Sequence, residues 1–238
     1  MTARIVIAID GPAASGKSST AQWVARRLGY FHVDSGSLYR AATAVQLERR
    51  TDPDRWMESE LLDGTSRITF VPAGEGGTFA PLIDGASSDA VLRSTDVTRH
   101  VSRVAGMQRV RQWVNEQVRK AAEAQNVVVD GRDIGTVVFP NATLKVFLVA
   151  DPWERARRRL IQRMGRSPSD AEIAEETDLI VHRDSKDATQ TVQANDAILI
   201  DTTFLTQEDQ VERIVALAKA VTHRPNGTST VDDGFPTT

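Results

Sequence analysis

The segment Gly11-Pro12-Ala13-Ala14-Ser15-Gly16-Lys17-Ser18-Ser19 has the spacing G-x-x-x-x-G-K-[ST]. Glycines at these positions let the backbone wrap so that its N–H groups point inward at phosphate oxygens. Lys17 would then reach the β- and γ-phosphates of a nucleoside triphosphate, and the Ser18 hydroxyl would hold Mg2+. Far downstream, Val127-Val128-Val129-Asp130 ends a β-branched run in an acid, suited to orienting water on the same ion. Gly131-Arg132-Asp133-Ile134-Gly135 follows at once, adding an arginine, a second carboxylate and two flexible glycines.

A phosphate cradle of this kind needs a strand before it and a helix after it. Residues 4–9 form a β-branched run suited to a strand buried on both faces, and Ala21, Val24, Ala25 and Leu28 share one helical face, with Gly29 as the stop. Residues 30–33 predict a second strand, followed by Asp34-Ser35-Gly36-Ser37-Leu38-Tyr39-Arg40 and a helix to about 49. A helix is predicted over 52–62. Residues 67–71 and 78–83 alternate as strands around Gly74, Gly76 and Gly77, with Pro81 suggesting an edge position, and together read as an insertion. Helices are predicted over 95–105 and 108–124, and strands over 127–130 and 144–149. Asp151-Pro152 opens a helix carrying Arg155, Arg157, Arg158, Arg159 and Arg163. A charged helix over 171–183, a strand over 197–200 and a helix over 207–221 complete the pattern. Strands alternating with helices imply a parallel sheet covered on both faces. Residues 222–238, rich in Pro, Gly, Thr and Asp without periodicity, predict a disordered tail.

Composition narrows the chemistry. At 238 residues, 40% hydrophobic and 26% charged, the chain can bury a sizeable core. The absence of cysteine excludes disulfides, thiol catalysis and cysteine-ligated metals. His32, His100, His182 and His223 show no metal-ligand spacing. A net charge of −3 argues against a broadly basic surface for a nucleic-acid polymer. Arg outnumbers Lys by 24 to 5, an excess that codon bias accounts for, so arginines count only inside motifs. Charges interrupt every hydrophobic segment and the N-terminus has no secretory pattern, so a cytoplasmic protein without a membrane partner is expected.

Several of these segments occur in an order and spacing that is similar to the bacterial cytidylate kinases, P-loop nucleoside monophosphate kinases. The resemblance runs from about Ile5 to Leu217. It rests on the loop at 11–19, the stretch 34–40, Ser102 with Arg109 to Arg111, the stretch 130–140, and Arg183 to Asp187 followed by Asp201-Thr202-Thr203. It implies an α/β P-loop NTPase fold: a five-stranded parallel sheet flanked by helices, a small antiparallel β insertion in the monophosphate-binding region, and a short lid. One kinase unit would span 1–221, with its core in 1–34, 127–156 and 184–221, the monophosphate-binding region in 35–126 and the lid in 157–183.

The same resemblance implies ATP and CMP or dCMP as substrates, Mg2+ as cofactor, and a monomer. Gly11, Pro12, Ala13, Ala14, Ser15, Gly16, Lys17, Ser18 and Ser19 would hold ATP, and Ser18 with Asp130 would hold the metal, the latter through water. Ser35, Tyr39 and Arg40 would line the acceptor's phosphate side, and Ser102, Arg111 and Asp133 would contact cytosine. Arg132 would lie near the transferred phosphoryl. Arg183 and Asp187 would hold acceptor phosphate and ribose, and Arg109 and Arg93 would add to the acceptor site. Lid arginines, Arg158 among them, would lie over the triphosphate. The implied catalytic set is Lys17, Arg132, Arg158 and Arg183.

The base chemistry agrees with these roles. Cytosine offers an amine donor beside N3 and O2 acceptors, so Asp133 can accept while Arg111 and Ser102 donate. Uracil would turn an acceptor toward the carboxylate, and an unpaired group of this kind costs roughly 1–3 kcal/mol. One position departs from the family pattern: Gln190 stands where an arginine is usual, and 191–196 is shorter. That departure predicts weaker acceptor-phosphate binding, or compensation by Lys186, with Gln190→Arg lowering the KM for CMP. The alternatives are a P-loop kinase for UMP, AMP or a small metabolite, a GTPase-like switch, for which the Asn-Lys-x-Asp guanine motif is missing, and a non-catalytic ATP-binding module.

Overall fold

The structure is a computed structural model that describes residues 4–73, 77–86 and 89–222. Strands β1 (Val6–Asp10), β2 (Phe31–Asp34), β3 (Ile68–Ala73), β4 (Thr78–Ile83), β5 (Val127–Asp130), β6 (Leu144–Val149) and β7 (Ile198–Asp201) form one seven-stranded sheet in the order β3-β4-β2-β5-β1-β6-β7. From β2 to β7 every neighbour pairs in parallel, which gives the expected parallel core of five strands. The insertion is not a separate sheet. Its antiparallel hairpin β3–β4 continues the core, because β4 pairs in parallel with β2 through His32–Thr78 and Val33–Phe79.

That pairing corrects the edge assignment. The edge strand is β3, while β4 runs on beyond the end of β2, so Pro81 meets only Phe70 of β3. A proline there removes no ladder bond to the parallel neighbour.

Alternation along the central strands sorts side chains between two layers. Ile7, Ile9, Val128, Val146 and Leu148 pack with α1 (Lys17–Leu28) and α9 (Gln207–Thr222). Ala8, Val33, Val127 and Val129 face the other way, onto α2 (Ser35–Glu48), α5 (Thr95–Ala105) and α6 (Gln108–Glu123). The region predicted as one helix over 52–62 is two pieces, a 3-10 turn at Pro53–Arg55 and α3 (Glu58–Gly64), with Trp56 extended between them. A short α4 (Asp89–Leu92) precedes α5. The charged helices α7 (Pro152–Met164) and α8 (Asp170–Asp187) pack as a hairpin on their own small core of Ala156, Leu160, Ile173 and Ile180. Asp151 caps the first through the Trp153 N–H at 2.9 Å, and Ser169 with Glu172 forms a capping box on the second. α9 extends to Thr222, and the rest of the expected tail, 223–238, lies outside the described residues.

Candidate active site

The carboxyl ends of β1, β2 and β5 converge on one end of the sheet, where open α/β sheets bind ligands. β1 ends at Asp10 and the chain turns at Gly11, whose φ is +146°. A Cβ there would stand 2.1 Å from the Leu148 carbonyl oxygen of β6, so only glycine passes. Gly16 is left-handed immediately before α1, and the loop between these glycines wraps around the Lys17 side chain. Lys17 is buried; its Nζ donates to the Pro12 carbonyl at 2.6 Å and to Ser15 Oγ at 3.5 Å. Burial, followed by the nearby Arg132 cation, lowers its pKa to about 7. Ser19 is exposed and donates back to the Gly16 carbonyl.

The Ser18 hydroxyl donates to Asp130 Oδ2 at 2.5 Å. The other oxygen of Asp130 meets His32 Nε2 at 2.8 Å, and its main-chain carbonyl accepts from Ser35 Oγ at 2.8 Å. Burial disfavours the His32 imidazolium, yet the bond to Asp130 and the negative charges of Asp130 and Asp34 together outweigh it and raise the pKa. A hydroxyl and a carboxylate at this spacing are hard oxygen donors that suit a divalent ion sharing its shell with phosphate and water, so the residues present fit Mg2+.

After β5, Gly131 approaches Ser35 so closely that a Cβ would lie 2.6 Å from its Oγ. The chain then forms a π-turn, Ile134–Val138, whose first two N–H groups donate to Asp10 Oδ1 and Oδ2 at 2.8 and 2.7 Å. Asp10, buried at the end of β1, thereby fixes the turn that follows Arg132 and Asp133. Burial raises its pKa to about 6 against those two N–H groups.

Arg132 donates to the Gly11 carbonyl at 3.0 Å and to Asp187 Oδ2 at 3.1 Å. Arg183 lies 3.6 Å from the same Asp187 oxygen. Burial, followed by the Arg132 charge, lowers the Arg183 pKa to about 10, with Arg40 and Arg159 acting in the same direction. Lys17, Arg40, Arg132, Arg159 and Arg183 thus form one cationic cluster in which most of the charges feel a like neighbour. Such a concentration of positive charge favours a polyanion.

Beside it, Arg111 pairs with the buried Asp133 and also donates from Nη1 to the Ala105 carbonyl and to Gln190 Oε1. Burial raises the Asp133 pKa, and Arg111 opposes that rise. The pair lines a cleft of about 440 Å3 together with Thr136, Val137, Thr189, Gln190 and Val192. Tyr39 is buried nearby, its hydroxyl pushed up to about 12. Ser102 is half-buried on α5, one turn before Gly106.

The remaining expected residues have partners or exposure of their own. Arg158 donates to the Thr202 and Thr203 carbonyls at 2.6 and 2.8 Å, beyond β7 rather than at the cradle. Arg40 donates to the Leu92 carbonyl and Thr98 Oγ1 at the α4–α5 junction. Arg109 is exposed on α6, and Arg93 is an exposed partner of Asp89.

Further contacts had no local signal in the sequence. Arg155, buried in α7, donates to the Ala13 carbonyl at 2.9 Å and to Asp184 Oδ2 at 2.6 Å, while Asp184 Oδ1 accepts the Ala13 N–H at 3.3 Å. The helical hairpin therefore grips the cradle directly. Glu176, buried in α8, holds Arg159 at 3.0 Å and Arg163 at 3.1 Å.

The family model described as cytidylate kinase matches residues 7–220, which include the cradle, the β5 carboxylate and the Arg111–Asp133 pair. The chain belongs to the cytidylate kinase family. The cytidylate kinase of Limosilactobacillus fermentum is 42% identical over 219 residues, covering 90% of this chain and 95% of that protein. That of Chloroherpeton thalassium is 40% identical over 232 residues, covering 93% and 96%. Among solved structures, shikimate kinase from Bacteroides thetaiotaomicron aligns with a TM-score of 0.46 at 19% identity, covering 92% of this chain and 99% of that one. As a cytidylate kinase family member the chain is an enzyme, a phosphotransferase of the P-loop type.

Proposed function

We propose that the protein moves the γ-phosphoryl of ATP to CMP or dCMP, giving ADP and CDP or dCDP, as a monomer in the cytoplasm. The observation that carries this reading is the meeting, at one end of the sheet, of a triphosphate cradle and a half-buried Arg111 paired with a buried Asp133 in a separate cleft. Amides of residues 11–19 and Lys17 take the triphosphate. Arg111 and Asp133, with Ser102, take the cytosine, and Arg109 adds to the acceptor site from α6. Ser35, Tyr39, Arg40, Arg183 and Asp187 take the acceptor's phosphate and sugar. The α7–α8 hairpin is the lid over residues 157–183, attached to the cradle through Arg155 and Asp184.

The acceptor oxygen is anionic near neutral pH and needs no general base. It forms a P–O bond to the γ-phosphorus as the bond to the β–γ bridging oxygen breaks, and that oxygen leaves on ADP. Positioning and charge neutralisation by Lys17, Arg132 and Arg183 carry the rate. Arg158 supports the same end of the molecule from the β7 side. Mg2+, held by Ser18 and, through water, by Asp130, would neutralise phosphate charge when bound.

A coupled assay of ADP release with CMP, dCMP, UMP and AMP as acceptors, together with product identification, tests this. CDP and dCDP should dominate. Preference for UMP or AMP would favour a different acceptor, and GTP hydrolysis without an acceptor would favour a switch.

A further inference from the structure

His32 lies where the inserted hairpin joins the core of the sheet. On one side it stands opposite Val128 of β5; on the other it pairs with Thr78 of β4, and its N–H donates to the Gly77 carbonyl at 2.8 Å. The backbone under the ring is tied along both edges, and the residue is only 4% exposed. Its Nε2 meets Asp130 Oδ1 at 2.8 Å. A carboxylate only accepts, so Nε2 carries the proton of that bond. In the neutral ring Nδ1 is then a bare acceptor, and among the described residues no group donates to it.

A buried polar atom without a partner counts against the folded state. Leucine would fill a similar volume here without that cost. The imidazole is therefore retained for what Nε2 does, and the surroundings of Asp130 show what that is. Ser35 Oγ holds the Asp130 main-chain carbonyl at 2.8 Å while His32 holds Oδ1, so two residues of the β2–α2 joint grip both ends of Asp130. Oδ2 is left to face the Ser18 hydroxyl. Asp34 stands level with Asp130 in the β2–β5 register and is a like charge beside it. Without the imidazole, nothing on the β2 side holds the carboxylate at this angle.

We infer that His32 is a positioning residue for the magnesium site, acting through Asp130 by keeping Oδ2 turned toward Ser18. This rests on the reading of Asp130 as the carboxylate that holds the metal through water. Partners that orient the groups around a metal in this way are worth roughly 10- to 100-fold in its affinity.

Calorimetric titration of the protein with ATP, once with excess Mg2+ and once with EDTA, tests the inference in wild type, His32→Leu, His32→Asn and His32→Gln, with thermal melting to confirm folding. Leucine removes the donor, and the asparagine amide matches Nδ1 and falls short of Asp130. The gain in ATP affinity that Mg2+ brings should drop roughly 10-fold or more in both variants, while ATP affinity in EDTA stays within about 2-fold. The glutamine amide reaches as far as Nε2 and should restore the gain to within about 3-fold of wild type. An unchanged gain in folded His32→Leu or His32→Asn, or an equal loss of affinity with and without Mg2+, would overturn the role of His32. Failure of the underlying reading looks different: Asp130→Asn would then itself keep the wild-type gain.

Discussion

The Ser18 hydroxyl and the Asp130 carboxylate, 112 residues apart in the chain, meet over 2.5 Å where α1 begins and β5 ends. The register Ile9–Asp130 between β1 and β5 brings the strand ends level, and Gly11 lets the chain double back over them. On its far side Asp130 is held by His32, so the carboxylate has little rotational freedom.

Replacing Asp130 with Asn keeps the shape and removes the charge. The apparent Mg2+ requirement should rise roughly 10- to 100-fold, the usual cost of disturbing a group that supports a bound ion. Initial rates titrated with Mg2+ at fixed nucleotide read this directly. A wild-type requirement in the folded variant would remove Asp130 from the metal's surroundings.

Lys17 is enclosed by the loop it serves, and methionine fills similar volume without the charge. Lys17→Met should fold with an unchanged far-UV spectrum and lose at least roughly 100- to 1,000-fold in kcat, the scale of one lost electrostatic contact in a transition state. Turnover near the wild-type value would take the cradle out of the mechanism.

Asp10 gives a pH signature. Its pKa is about 6 in the folded protein against 3.8 as a free side chain. Folding therefore takes up a proton between those values, and this group's contribution to stability falls as pH rises across that window and stays lost above it. Asn at position 10 does not titrate. Stability of wild type relative to Asp10→Asn should thus be greater at pH 4 than at pH 7, by about 2 kcal/mol. Urea unfolding of both proteins at the two pH values measures the difference. A constant difference would mean that Asp10 is ionised throughout.

The parts of the site that were legible in the sequence are contiguous or sit at strand ends. The cradle is a local motif whose glycines and lysine announce their geometry, and Asp130 and Asp133 follow a β-branched run that could only be a core strand. The contacts that escaped are pairings between distant elements. His32 reads as one scattered histidine until β2 is laid beside β5, and Asp10 reads as a strand end until the π-turn folds onto it. Arg155 is one arginine among five on its helix, and only the packing of α7 against α8 selects it for Asp184 and Ala13. In the fold, the hairpin was visible from alternation, but its place beside β2 depends on a two-residue parallel pairing that local pattern does not encode.

The measurement that bears most directly on acceptor choice is the ratio of kcat/KM for CMP to that for UMP, in wild type and in Asp133→Asn. The Arg111–Asp133 pair predicts a wild-type ratio above about 10, collapsing to within about 3 when the carboxylate becomes an amide that can donate to uracil as well as accept from cytosine. A wild-type ratio near one, or a ratio that survives the substitution intact, would contradict it.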